Sequence, residues 1–173
     1  MKKLLSLILV FTILFGAVCS VPELDASILV KASASSAEVL SFTFNEDEEA
    51  YWVTDCDDAV KGAVTIPDTY NGVAVTGIGA SAFLNCADMT SITIPEGVTV
   101  IGSAAFENCS DLVSVYIPAT LTSVGSWAFY KCTGLKRVCI TDLTAWFGID
   151  FNSGFFPNPL FYARNLFLTG EKL

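Results

Sequence analysis

Six cysteines and no histidine set the limits on the chemistry this 173-residue chain could carry. Cys86, Cys109 and Cys132 follow one another at a fixed step of 23 residues. A thiol can attack a substrate, bind a soft metal, pair as a disulfide, or fill a small apolar space. Nucleophilic use wants a neighbouring base, and the missing histidine removes the usual one, together with the commonest zinc ligand. Zinc wants a tetrahedron, which a straight row of thiols does not make. A disulfide stays open as an alternative. Cysteines stacked in register have Cβ atoms about 4.8 Å apart, just beyond the usual span, and three in a row leave one over. The reading favoured is a buried rung that donates a weak S–H hydrogen bond. Cys56, among aspartates, reads as a displaced first copy. Cys139 falls outside the step and reads as an exposed thiol on an outward strand position. If Cys19 is removed, five cysteines remain, and an odd count leaves one over.

The acids offer little more. Glu46, Asp47, Glu48 and Glu49, followed by Asp55, Asp57 and Asp58, lack the alternate oxygens and the glycine of an EF-hand loop. They read as a solvated turn. The expectation is a non-catalytic protein with no metal and no cofactor.

What positions the cysteines is a repeat. Ala82-Phe83 returns as Ala105-Phe106 and Ala128-Phe129, and Ile94-Pro95 returns as Ile117-Pro118. Ile78-Gly79 returns as Ile101-Gly102 and Val124-Gly125. "TSITIP" alternates, with Ile92 and Ile94 on one face and Ser91 and Thr93 on the other, which predicts a short half-buried strand stopped by Pro95. Val98 and Ile101 then turn back inward. Gly102 supplies either a positive φ or open backbone, and Ser103 caps a short helical turn, "AAFENC". The earlier copy carries an extra "TYNG", read as a surface loop. One such unit cannot bury its own apolar face, but stacked units can, with parallel strands in one sheet. The predicted core rungs are Phe83, Cys86, Ile94, Phe106, Cys109, Ile117, Phe129 and Cys132.

The segment "IPEGVTVIGSAAFENCSDLVSVYIP" strongly resembles the BspA-type leucine-rich repeat, over roughly 65–140 with a looser lead-in from Phe42. The resemblance implies an α/β, right-handed leucine-rich repeat solenoid, with short parallel β-strands and short helical or irregular returns. It also implies a bacterial secreted or surface protein, with adhesion among the family's roles. Residues 35–64 are then an N-terminal lead-in or cap. Residues 141–173 are a variant unit, "DLTAWFGIDF" followed by a strand-like "ARNLFLTGEKL", that departs from the Ile-Pro pattern. Its apolar residues, Phe155, Phe156, Leu160, Phe161, Leu166 and Phe167, either cap the stack, seek a partner by self-association, or mark a truncated repeat. The expected binding face is the outward strand row: Ser91, Thr93, Ser114, Tyr116, Arg137 and Cys139. Trp127 is a separate exposed contact, while Trp52 and Trp146 pack the end units. The function expected is binding of an extracellular protein or glycan. The alternative is a structural spacer or truncated fragment of a larger surface protein, with no ligand of its own.

The N-terminus fits that compartment. "MKK" precedes "LLSLILVFTILFGAV", a basic start and an apolar core of signal-peptide length, short for a membrane span. Cleavage is expected between residues 19 and 34. Val18 stands where a lipobox wants a small residue before Cys19, which disfavours lipid anchoring. Removing residues 1–34 takes three lysines and two acids with it and leaves a net charge of −10. Such a chain is repelled by nucleic acid and by anionic lipid, and no membrane span is expected once the signal is cleaved.

Overall fold

A computed structural model describes residues 39–57, 59–151, 156–168 and 171–172. The expected signal segment lies outside them. The chain is a parallel β-solenoid of about five turns with few helices. Each coil contributes to two sheets. Sheet B holds the Ile-Pro strands: β3 (Gly62–Thr65), β6 (Met89–Thr93), β8 (Ser114–Ile117) and β10 (Arg137–Ile140). Next come β12 (Leu166–Leu168), parallel to β10, and β13 (Glu171–Lys172), antiparallel at the edge. Sheet A runs β1 (Leu40–Asn45), β2 (Ala50–Cys56), β5 (Val73–Ile78), β7 (Val100–Ile101), β9 (Ser123–Val124) and β11 (Asp150–Phe151). The first pair is antiparallel, and the later strands stack parallel.

The alternation read from "TSITIP" holds. Ile92 and Ile94 are buried, and Ser91 and Thr93 are partly exposed. The ladder runs to Ile94, whose N–H donates to the Tyr116 carbonyl, and stops at Pro95, which has no N–H to give. Stacking in register aligns the phenylalanines. Phe83, Phe106 and Phe129 are fully buried, with ring centroids 5.0 and 5.2 Å apart and planes within 17°.

The returns differ from expectation. "AAFENC" is a run of turns rather than a helical turn, and Ala104 and Asn108 take left-handed φ angles of 55° and 63°. The cause is lateral bonding. The N–H groups of Ala104, Phe106 and Asn108 donate to the carbonyls of Ser126, Ala128 and Tyr130 in the next coil, so they are lost to any helix. Beyond Val39, helices among the described residues occur only in the last unit: α1 (Leu143–Gly148) and α2 (Leu160–Ala163). Asp142 caps α1 by accepting from the Ala145 N–H at 2.7 Å.

At Gly102 the bare backbone is what counts, because it lets the preceding coil approach closely. The φ of Gly102 is not positive, and a Cβ there would lie 2.5 Å from the Ala80 nitrogen of the preceding coil. Backbone cannot step aside as a flexible side chain can. Gly102→Ala is therefore expected to lower the unfolding free energy by about 1–3 kcal/mol in urea denaturation.

The "TYNG" insertion is a hairpin rather than a loop. β4 (Thr69–Tyr70) pairs with β5 across Asn71 and Gly72, both at positive φ as a type I′ turn requires. The hairpin carries Tyr70 onto Phe42, stacked at 4.2 Å, and against Tyr51 at 5.0 Å. These three rings pack on the core at its first end. At the other end Trp146 is buried, and Phe151, Leu160, Tyr162, Leu166 and Leu168 pack against the same core. Trp52 fits over Gly77, where any side chain would collide with its ring.

Candidate functional site

The cysteines come first, since they carry the most reactive chemistry. Cys56, Cys86, Cys109, Cys132 and Cys139 are all thiols and all buried. Cys109 Sγ donates to the Phe83 carbonyl at 3.1 Å, and Cys132 Sγ donates to the Phe106 carbonyl at 3.0 Å. Each thiol thus adds a second donor to a carbonyl one coil back that already accepts from a backbone N–H. The Cys109 thiol is held far above the ordinary thiol range, first by its hydrogen bond with Cys132 and then by burial. Cys56 is raised likewise by its hydrogen bond with Cys86, then by burial and by the nearby aspartates. A thiol so protonated and enclosed is a poor nucleophile and a poor metal ligand. Among the described residues no group of three or more His, Cys, Asp or Glu side chains could hold a metal ion.

Cys139 is not exposed. It is 5% accessible, against the expectation of a reactive outward thiol. It does occupy the outward row, in register with Tyr116 on one side and Phe167 on the other. Neighbouring strands stand only about 4.8 Å apart, so two flanking aromatic side chains cover a residue as small as cysteine.

The other outward residues form a grid fixed by the parallel register. Ala63, Ser91, Ser114 and Arg137 make one row, and Thr65, Thr93, Tyr116, Cys139 and Phe167 make the next. Ser91, Thr93, Tyr116 and Arg137 are partly exposed, whereas Ser114 is buried, contrary to expectation, between the strands carrying Ser91 and Arg137. Phe167 joins this face, and the sequence reading did not place it there. Its register arises in the variant unit, outside the 23-residue step.

Trp127 is 46% exposed, as expected, but it belongs to the returns and not to sheet B. It lies 6.0 Å from Tyr130, which stacks on Phe156 at 5.3 Å. The seven expected contact residues are therefore divided between two surfaces. No described helix is long and apolar enough to cross a membrane, which says nothing of strands.

The repeat geometry has counterparts. The family model of the BspA type leucine rich repeat region matches residues 64–150, half of the chain, in six copies. Among solved structures, a leucine-rich repeat protein of T. pallidum is 26% identical with a TM-score of 0.55, over 60% of this chain and 51% of its own. One from Bacteroides ovatus is 31% identical with a TM-score of 0.53, over 65% and 32%. A leucine-rich cell surface protein from Faecalibacterium prausnitzii is 26% identical with a TM-score of 0.50, over 68% and 36%. The match thus spans about half the length of the first of these proteins and about a third of the other two. No curated protein matches the chain.

Proposed function

Since the chain belongs to the BspA-type leucine-rich repeat family, a fold typical of protein-binding modules, we propose that it is a secreted or cell-surface, non-catalytic module that binds an extracellular protein or glycan along the outward face of sheet B. The observation that carries this reading is the register that sets Thr93, Tyr116 and Phe167 in one row with Arg137 in the next. Tyrosine and arginine dominate binding energy at interfaces, because each presents a broad, stiff contact surface and hydrogen bonds together. The rows lie on a sheet held by the coil-to-coil ladder, so little ordering cost falls on the binding step. The acidic charge of the chain argues against polyanionic partners and for neutral or basic ones. The surface location of the Faecalibacterium protein supports the compartment.

Binding of the purified chain to an array of extracellular matrix proteins and neutral glycans tests the reading. At least one partner is expected. Tyr116→Ala and Arg137→Ala should each weaken that binding by about 2 kcal/mol or more while the circular dichroism spectrum stays unchanged. An array with no partner would leave the spacer role standing instead. A partner indifferent to both substitutions would move the site off sheet B.

A further inference from the structure

Helix α2 sits within a run of exposed aromatic rings. Phe161, 57% exposed, meets Phe156 and Tyr162 edge-on at 4.8 and 4.9 Å. Through Phe156 the run continues to Tyr130 and Trp127 on the last regular return. Three exposed cations lie on the same segments of chain. Lys131 places its ammonium 5.2 Å over the Tyr130 ring and donates its backbone N–H to the Tyr162 hydroxyl. Lys136 lends its carbonyl to the Asn165 side chain, and Arg164 ends α2.

The opposite end of the stack has the complementary character. Residues 39–57 hold six carboxylates and no base, whereas the described part of 126–168, leaving out Arg137 on sheet B, holds three bases and two acids. At the turn between β1 and β2, Glu46, Asp47 and Glu49 are exposed beside the exposed ring of Phe44. Glu48 is engaged within the chain, accepting from Trp52 Nε1 and the Thr76 hydroxyl. β1 and β11 are the two edges of sheet A, and α2 follows β11, so the acidic turn and the α2 face cannot meet within one chain.

We propose that the aromatic and basic face around α2 docks the acidic β1–β2 turn of a second copy of this chain. Rings meet a ring, and cations meet carboxylates. Copies of a chain with net charge −9 repel one another in most orientations. The approach that sets the base-rich end against the acid-rich end is the attractive one. Two different patches meet, so the contact is heterologous and leaves an end open for the next copy. The charges are exposed, so the attraction is screened by salt. Neither Tyr116 nor Arg137 takes part, which keeps this proposal separate from binding on sheet B.

Sedimentation velocity on the full chain tests it. At low salt the weight-average sedimentation coefficient should rise with protein concentration, and at about 0.5 M salt that rise should disappear. Reversing the basic end (Lys131→Glu with Arg164→Glu) should weaken association about tenfold or more. Reversing the acidic end (Glu46→Lys, Asp47→Lys and Glu49→Lys) should do the same. Mixing the two variants should restore association, because the altered ends now match each other. A chain that stays monomeric at low salt, association untouched by either reversal, or a mixture that fails to recover would each overturn the proposal.

Discussion

Phe106→Ala is expected to lower the unfolding free energy by about 3–5 kcal/mol, the range for emptying a buried aromatic site. The upper half of that range applies for a geometric reason. Phe106 lies between Phe83 and Phe129, nearly parallel to both, and all three are fully buried. The backbone around it is fixed on both sides. Its own N–H donates to Ala128 of the next coil, and the Phe83 N–H donates to Ala105 beside it. The coils therefore cannot close over the space, and both neighbouring rings lose a face. Urea denaturation measures the loss. A change below about 1 kcal/mol, as expected for the exposed Phe147→Ala, would mean that the phenylalanine spine does not hold the stack together.

The second large effect is loss of stability in alkali. An unfolded thiol titrates near about 8.5. The folded Cys56 and Cys109 thiols are held far above that by hydrogen bonding and burial. Above that pH the unfolded chain releases protons that the folded chain keeps, so stability is whole below about pH 8.5 and falls as pH rises. Each thiol contributes a slope that grows toward about 1.4 kcal/mol per pH unit above pH 8.5, or about 3 kcal/mol for the two between pH 8.5 and 10. Denaturation midpoints across that range give the slope, and Cys109→Ala should reduce it by about half. Midpoints that stay level to pH 10 would contradict the raised thiols.

Much of this fold could be read from residues because it repeats. The step linking Cys86, Cys109 and Cys132 also carries the phenylalanines and the Ile-Pro strands, and a pattern returning three times outweighs local ambiguity. Sheet A was not legible. Val100–Ile101 and Ser123–Val124 are strands of two residues, too short to show any alternation. Nor were the returns, because Ala104 gives no sign that it will take a left-handed φ; the lateral bonds to the next coil impose it. Asn71-Gly72 is a strong hairpin signal, and its flanking tyrosine could have marked the insertion as packing rather than loop. The burial of Cys139 is hidden from the sequence for a reason of the same kind as sheet A's short strands. The β12 neighbour of Cys139 is Phe167, 28 residues on, in a unit that abandons the repeat, so nothing in the spacing announces that the two lie side by side.

The cysteines act as rungs of the packed stack and not as reactive groups. Site-resolved thiol labelling of the native protein, read by mass spectrometry, tests this directly. Cys56, Cys86, Cys109, Cys132 and Cys139 should all remain unmodified until the chain unfolds, and should then react together at the rate of global unfolding. Rapid native-state labelling of Cys109 or Cys139, or a cross-link between any two of the five, would show that they are reactive groups instead.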